Sequence, residues 1–268
     1  MFYYVINKKG KKIIKILSIA GSDCSAGAGI QADLKTIKAL GGYCCTVITS
    51  ITAQNSKQIN KVENLSGKIL ESQLKCVLSD HEFDAIKIGM ISDISFVKKI
   101  KKLFKKKKIP IVIDPVLKSS LGKYLVKKDK FISIQRILAS VSTLITPTIF
   151  EASILGGIKI KNIDDMKNFC KNFYSKNGCS VLLKGNEIEN GKVIRNILYH
   201  NEKFYNMKFK KINNRNTHGT GCTFSATIAF YLASGEVMKN AIEKSQKFVS
   251  KSIINSPNFD LDYGPLGL

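Results

Sequence analysis

The chain has 268 residues, of which 44% are hydrophobic and 24% are charged, and its formal net charge is +23. These values are typical of a globular protein, and a chain of this length buries a sizeable core without disulfides or metals. Disordered, collagen-like and disulfide-stapled proteins are therefore excluded. No apolar run approaches the ~20 residues of a membrane span, so we expect no membrane association.

The cysteine content and the basic excess bear on where the protein works and what it binds. The odd number of seven cysteines, the lack of a CxxC pair and the absence of a secretory signal pattern favour reduced thiols and a cytoplasmic protein. The 43 basic residues would attract a polyanion, but only three of them are arginines. Because nucleic-acid readers rely on arginine forks, we expect no specific nucleic-acid partner.

Short β-branched runs alternate with segments of helical periodicity along most of the chain. Strands are predicted over residues 13–20, 44–52, 85–89, 111–114, 143–146 and 181–184, followed by a hairpin of residues 193–200 and 203–209. Helices are predicted over residues 30–40, 164–176, 220–233 and 236–254. Three further helices are predicted from their starts: one after a cap at Ser66, one after a cap at Asp93, and one with Pro147 in its first turn.

This alternation predicts an α/β protein. Repeated strand–helix–strand units imply a three-layer α/β/α sandwich with a mostly parallel central sheet, and the hairpin adds an antiparallel edge. No repeat or linker divides residues 1–268, so we expect a single domain. Ligands of such sheets bind beyond the carboxyl ends of the strands, and the residues that follow each strand are the candidates for chemistry.

A glycine-rich loop follows the first predicted strand and includes Gly21, Asp23 and Gly27. Glycines let the backbone approach a ligand, and the helix that follows offers free N–H groups to an anion. The loop is neither a dinucleotide fingerprint nor a P-loop, because the further glycine and the Lys-Ser/Thr pair that these require are missing. It is a candidate ligand-binding turn.

A second loop runs over residues 213–223 and leads into an apolar helix. The N–H groups from Gly219 through Thr220 and Gly221 to Cys222 would converge where the helix dipole favours negative charge, such as that of a phosphoryl transition state. Cys222 lies in the first turn, where the pKa of a thiol can fall, although a small buried apolar residue is the alternative. For His218 we expect a local hydrogen bond.

Polar residues follow four other predicted strands. Asp114 and Glu151 come after neighbouring strands, and two carboxylates there suit a hydrated Mg²⁺ near phosphates. Lys184 ends a buried strand, where its ammonium would meet a phosphate as a point charge. Gln54 offers an amide donor and acceptor to the edge of a heterocycle.

Seven short motifs occur in an order and spacing that resemble one enzyme family. They are IAGSD at 19–23, GAGIQADLK at 27–35, TAQN at 52–55, KIGM at 87–90, DPV at 114–116, TP at 146–147 and THGTGC at 217–222. Together they resemble the hydroxymethylpyrimidine/phosphomethylpyrimidine kinases, the thiamine-pathway branch of the ribokinase-like family. The resemblance begins near residue 15 and extends beyond residue 254, and residues 1–12 look like an N-terminal extension.

The resemblance implies a homodimeric kinase that uses MgATP to phosphorylate 4-amino-5-hydroxymethyl-2-methylpyrimidine and then its monophosphate. It also assigns roles to residues of this chain. Those roles are the pyrimidine site for Gln54, Gly21, Asp23 and Gly27, the anion hole for Gly219, Thr220 and Gly221, the general base for Cys222, the metal for Asp114 and Glu151, and the nucleotide for Lys184 and Thr217.

Two residues depart from the family pattern, and two other functions stay open. Thr148 stands where members have Asn, and Glu187 lies in a loop that usually reads Lys-Gly-Gly-His, where its charge would repel phosphate if it faced the nucleotide. A pyridoxal kinase of the same fold shares the Gly-Thr-Gly motif, whereas a sugar kinase is disfavoured because Cys222 is not Asp. A non-catalytic basic binding protein is the alternative from a different class.

Overall fold

A computed structural model of the chain describes residues 12–185, 192–261 and 263–268. The predicted N-terminal extension, apart from Lys12, and Glu187 lie outside the described residues. Within these ranges a single sheet has the strand order β3-β2-β1-β4-β5-β6-β7-β8-β9. Its strands are β1 (Lys15–Asp23), β2 (Tyr43–Gln54), β3 (Ile59–Asn64), β4 (Ala85–Ile88), β5 (Ile111–Ile113), β6 (Leu144–Ile145), β7 (Ser180–Lys184), β8 (Val193–His200) and β9 (Lys203–Lys210).

The centre of the sheet is parallel and both of its edges are antiparallel. The strands from β2 through β1, β4, β5 and β6 to β7 all run in one direction. The hairpin of β8 and β9 pairs antiparallel with β7, as predicted, and β3 forms the opposite edge. All four residues of β4 are buried, which is typical of a strand covered on both faces.

Helices cover both faces of the sheet and confirm the three-layer α/β/α sandwich. They are α1 (Gly29–Ala39), α2 (Gly67–Asp80), α3 (Ile94–Phe104), α4 (Lys128–Ala139), α5 (Ile149–Gly156), α6 (Ile163–Asn177), α7 (Thr220–Ala233) and α8 (Met238–Ile254). One apolar core joins the sheet to α2 through α6, and a second core joins it to α1, α7 and α8. No helix among the described residues is long and apolar enough to cross a bilayer.

Of the three helix starts predicted from a cap or a proline, two differ in detail from the structure. Asp93 caps α3 as predicted, since its carboxylate accepts a hydrogen bond from the N–H of Phe96 at 2.7 Å. Ser66 occupies the N-cap position of α2, but its side chain makes no capping bond. Pro147 lies before the first turn of α5 because Thr148 is the cap, and the Pro147 carbonyl is held by the N–H of Lys184 at 2.8 Å.

Two elements were not predicted, for different reasons. Strand β3 reads INKVEN and buries only Ile59, so it lacks the alternation by which a half-buried strand is identified. Helix α4 does carry a helical signal, because Phe131, Ile134 and Leu138 recur at helical spacing and are buried. Neither element changes the arrangement of the parallel strands that carry the predicted site.

Candidate active site

A cavity of about 640 Å³ opens where the carboxyl ends of the parallel strands meet the beginning of α7. This is the edge of the sheet at which the sequence predicts ligand binding. Every predicted site residue except Gly27 lines the cavity: Gly21, Asp23, Gln54, Asp114, Glu151, Lys184, Thr217, Gly219, Thr220, Gly221 and Cys222. The fold therefore gathers the candidates from separate loops into one place.

Asp23 ties the first glycine-rich loop to the second. Its buried carboxylate accepts hydrogen bonds from the N–H groups of Ser25 and Ala28 at 2.8 and 2.7 Å, and from Nε2 of His218 at 2.8 Å. Burial alone would raise the pKa of this carboxyl, but the bonds from His218 and Ser25 outweigh it and hold the pKa well below its usual range. The expected local hydrogen bond of His218 is wrong, because its partner Asp23 lies 195 positions away.

The two glycine-rich loops also contact each other at glycines, where a Cβ atom would not fit. Gly219 has a φ of +85°, and a Cβ atom there would lie 1.9 Å from the carbonyl oxygen of Gly27. A Cβ atom on Gly27 would lie 2.0 Å from Cδ2 of His218. Gly27 thus lies behind His218, which explains why it does not line the cavity. Its role is to let the two loops approach.

Helix α7 begins at this contact and presents its first turn to the cavity. The N–H of Thr220 donates to the carbonyl of Thr217 at 3.2 Å. Gly219 is the N-cap and has no side chain, so no capping side chain covers the N–H groups of Gly221 and Cys222. A Cβ atom on Gly221 would lie 3.4 Å from Oδ2 of Asp114 and 3.8 Å from Nζ of Lys184. The predicted anion hole is therefore adjacent to one carboxylate and one ammonium group.

Thr217 and Thr220 shape the loop that leads into α7. The carbonyl of Thr217 accepts hydrogen bonds from the hydroxyl of Thr220 at 2.7 Å and from the phenol of Tyr263 at 3.1 Å. Gln54 ends β2 and lines the same cavity, and its backbone contacts the thiol of Cys24. These contacts fix the backbone at both places.

Asp114, Lys184 and Glu151 form a charged group beside the anion hole. Nζ of Lys184 lies 3.3 Å from Oδ1 of Asp114, and both side chains are largely buried. Burial lowers the pKa of Lys184, but the carboxylates of Asp114 and Glu151 outweigh it, and the net shift is upward. This lysine therefore stays positively charged at neutral pH and suits a phosphate.

Glu151 is anchored by a capping box at the start of α5. One carboxylate oxygen accepts hydrogen bonds from the N–H and the hydroxyl of Thr148, both at 2.9 Å, and the other accepts from the N–H of Leu117 at 3.2 Å. The hydroxyl of Thr148 also accepts a hydrogen bond from the N–H of Glu151 at 3.3 Å, which is the N-capping bond. Burial raises the pKa of Glu151 to about 7, and the charge of Asp114 contributes to this increase.

The donor set fits a hydrated Mg²⁺ ion. Mg²⁺ keeps several waters and is usually bound by one or two carboxylates together with substrate phosphates. Asp114 and Glu151 repel each other electrostatically, which a bound cation would relieve. Among the described residues, no group of three or more Asp, Glu, His or Cys side chains could hold a metal ion.

Cys222 lies in the first turn of α7, but its thiol is not activated there. Burial, together with the charges of Asp33 and Asp114, raises the pKa of Cys222 to about 11, although Lys87 and the N–H of Gly29 act in the opposite direction. The prediction that the helix start lowers this pKa is therefore wrong. Desolvation by burial is the largest contribution to this shift.

Sequence reasoning missed a buried ion pair next to the thiol. Nζ of Lys87 lies 2.8 Å from Oδ2 of Asp33, and neither side chain is exposed by more than 1%. Ser18 donates to the same carboxylate oxygen at 2.5 Å. Lys87 also lines the cavity. A lysine inside the four-residue buried strand AIKI was the available signal, since buried lysines are rare without a partner.

Fold and cavity together define the ribokinase-like class of α/β proteins. The comparisons with known proteins narrow this class: a model of the phosphomethylpyrimidine kinase family matches residues 23–267, and the chain belongs to that family. It is 35% identical over 249 residues to the hydroxymethylpyrimidine/phosphomethylpyrimidine kinase of Aquifex aeolicus, covering 92% of this chain and 97% of the relative. The chain spans about half the length of the bifunctional thiamine biosynthetic relatives that it also matches.

Solved structures agree with this assignment. The phosphomethylpyrimidine kinase of Clostridium difficile is 38% identical and superposes with a TM-score of 0.78 over 90% of this chain and 99% of that chain. The pyridoxal kinase of Staphylococcus aureus in complex with ADP is 31% identical, with a TM-score of 0.86 over 96% of this chain and 93% of that chain. This chain therefore shares its fold with kinases of both names.

Proposed function

We propose that the protein transfers the γ-phosphoryl group of ATP to 4-amino-5-hydroxymethyl-2-methylpyrimidine and then to the resulting monophosphate, for thiamine biosynthesis. The observation that carries this proposal is the first turn of α7, which lies beside Asp114 and Lys184 in one cavity. Donors arranged in this way stabilise the charge of a transferring phosphoryl group. Membership of the phosphomethylpyrimidine kinase family supports the choice of a pyrimidine.

Each side of the cavity has a part in this proposal. The amide of Gln54 holds the edge of the pyrimidine, and the loop around Gly21 and Asp23 encloses the ring. Lys184 and the Thr217 segment hold the phosphates of ATP. Asp114 and Glu151 would hold Mg²⁺, which when bound neutralises charge on the phosphate oxygens.

The two transfers differ in what they require from the protein. In the first, the substrate hydroxyl attacks the γ-phosphorus and loses its proton, and the thiolate form of Cys222 at the start of α7 is the proposed acceptor. In the second, an oxygen of the substrate phosphate attacks and carries no proton at neutral pH. The N–H groups of Gly221 and Cys222 serve both transfers, because the same phosphoryl group passes them.

Pyridoxal is a second candidate substrate. The observation that favours it is the similarity to a pyridoxal kinase whose structure contains pyridoxal, at a TM-score of 0.84 over 96% of this chain. Pyridoxal also presents a ring-bound hydroxymethyl group, so the same anion hole would serve. We propose that the hydroxymethylpyrimidine is preferred over pyridoxal, because the chain matches the phosphomethylpyrimidine kinase family and because the amide of Gln54 suits the edge of a pyrimidine.

The remaining proposals concern the whole protein in solution. They are a homodimer, a cytoplasmic location and the absence of a specific nucleic-acid partner. The lysine-rich charge supports only weak, salt-sensitive attraction to polyanions. Equilibrium sedimentation would test the dimer, and a DNA-binding titration across salt concentrations would test the last proposal.

The release of ADP tests the proposed activity directly. We would measure ADP with MgATP and the hydroxymethylpyrimidine, with pyridoxal and ribose in parallel. Two ADP per pyrimidine are expected. Turnover with pyridoxal alone would move the assignment to the sibling kinase. No turnover with any of the three, from folded protein, would contradict the kinase function and favour the non-catalytic binding protein.

Replacing Cys222 by alanine should slow the first transfer about a hundredfold and the second less than about fivefold, because only the first needs a proton acceptor. Since the pKa of Cys222 is about 11, the thiolate fraction rises with pH across the neutral range. The first-transfer rate of the unmodified enzyme should therefore increase between pH 7 and 9, and this increase should vanish in the variant. Rapid-quench assays with each substrate measure both rates.

A surface cysteine provides the control for that experiment. Cys76 lies exposed on α2 and outside the cavity, so Cys76→Ala should leave both transfers unchanged. Equal losses in both transfers for Cys222→Ala would contradict the proton-acceptor role and leave only a positional one.

The requirement for Mg²⁺ should increase as the pH falls. Glu151 has a raised pKa of about 7, so a proton competes with the cation for its carboxylate below that pH. The Mg²⁺ concentration that gives half-maximal rate should rise about tenfold between pH 8 and pH 6, as the ionised fraction falls. Titration with Mg²⁺ at saturating ATP measures this, with Glu151→Gln as the variant in which the pH dependence disappears. The same half-saturation at both pH values would be inconsistent with a metal at Glu151.

A further inference from the structure

A tight hairpin after β5 presents one lysine to the cavity. The N–H of Leu125 donates to the carbonyl of Leu117 at 2.9 Å, and Lys118 and Tyr124 face each other across an antiparallel bridge. Nζ of Lys118 lies 4.3 Å from the ring centroids of both Tyr124 and Phe150. Two aromatic rings therefore hold the ammonium group in a defined position.

Three lysines line the cavity, and Lys118 differs from the other two, Lys87 and Lys184. Lys87 is paired with Asp33 and Lys184 with Asp114, whereas no carboxylate of the described residues lies within 4.0 Å of the ammonium of Lys118. The side chain of Lys118 is half-buried. A cation that is partly desolvated and has no counter-ion is prepared for an anionic ligand.

The neighbours of Lys118 connect it to both halves of the site. Phe150, which supports one face of the ammonium, directly precedes Glu151 in α5. Two residues beyond Lys118, the hydroxyl of Ser120 lies 3.4 Å from Nδ1 of His218, whose other nitrogen binds Asp23. The hairpin thus extends from the proposed metal carboxylates to the loop that encloses the substrate.

We propose that Lys118 binds the phosphate group that the substrate itself carries in the second transfer. This inference rests on the proposed function and adds a residue for its second step. An oxygen of the substrate phosphate forms a bond to the γ-phosphorus, the bond to the β–γ bridging oxygen breaks, and ADP leaves with that electron pair. The active site then holds one phosphate more than in the first transfer, with about −1.5 to −2 charge. Lys184 and α7 face the γ-phosphoryl group, so the unpaired ammonium is the one available for the additional charge.

The replacement Lys118→Met tests this assignment because it keeps the stem of the side chain and removes its charge. The ratio of kcat/KM for the second transfer to that for the first should fall about tenfold or more, as expected for one lost hydrogen bond to a charged group. Calorimetry with the monophosphate and without ATP should show a Kd raised by a similar factor. The Kd of the unphosphorylated pyrimidine should change less than about twofold. Lys118→Arg should restore most of the loss.

Lys128 offers a matched control. Its ammonium lies 5.7 Å from the ring of the same Tyr124 but outside the cavity, so Lys128→Met should alter neither Kd. Equal losses for both pyrimidines in Lys118→Met, or an unchanged Kd for the monophosphate, would overturn the assignment. Because binding is measured without ATP, an unmodified enzyme that binds the monophosphate but turns over neither substrate would contradict the proposed function alone.

Discussion

Replacing Gly219 by alanine should lower kcat about a hundred- to a thousandfold for both transfers. The residue combines a φ of +85° with a carbonyl oxygen 1.9 Å from the position of a Cβ atom. That oxygen belongs to the backbone of Gly27 and cannot rotate away, so the two loops must separate. The N–H groups of Gly221 and Cys222 would then move from their place beside Asp114, and losing one such donor typically costs two to three orders of magnitude, about 10²–10³.

A second glycine of the chain separates the effect of backbone strain at a positive φ from the effect of a clash between the new Cβ atom and the Gly27 carbonyl. Gly235 follows α7 with a φ of +87°, and no atom lies within 4 Å of the position of its Cβ. Gly235→Ala should therefore lose only the roughly 1–2 kcal/mol of an unfavourable left-handed conformation, without any change in kcat. Urea unfolding and ADP release measure the two effects. If both variants lose the same activity, the contact between Gly219 and Gly27 is not what positions the anion hole.

The sequence predicts much of this site because its elements are local. Each parallel strand is a short β-branched run, and the glycines and charged residues that follow it mark the loops at one edge of the sheet. Asp114, Lys184 and the Gly-Thr-Gly turn are examples, since their place follows from the end of a strand or the start of a helix.

Properties that depend on distant packing were not predictable in this way. The raised pKa of Cys222 arises from burial and from Asp33, a residue of α1 that lies far from it in sequence. The hydrogen bond between His218 and Asp23 joins residues that are 195 positions apart. The counter-ion of Lys87 is also supplied by α1. The hydrophobic pattern of the sequence predicts on which face of a helix or at which edge of the sheet a residue lies. It does not identify which charged residue of another element will lie against it.

Breaking the buried ion pair should destabilise the protein strongly. Lys87→Met would leave the carboxylate of Asp33 without the ammonium that lies 2.8 Å away, in a position where only Ser18 donates to that oxygen among the described residues. An uncompensated buried charge of this kind costs about 3–5 kcal/mol of unfolding free energy. Urea unfolding at pH 7 measures the loss. The pair on the protein surface between Lys99 and Glu71 is the comparison, and Lys99→Met should cost less than about 1 kcal/mol.

A double-mutant cycle separates the interaction from the loss of volume. The double replacement of Lys87 by Met and of Asp33 by Asn removes both charges, and it should unfold with a free energy well above that expected from adding the two single losses. Additive losses would show that the two side chains contribute independently, and the ion pair would then not be the cause. The rescued protein should transfer the first phosphoryl group somewhat more slowly than the unmodified protein, because Lys87 favours the thiolate of Cys222 more than Asp33 opposes it, and both charges are gone. A stable double variant with normal first-transfer kinetics would separate the pair from the chemistry and restrict its role to the folded state.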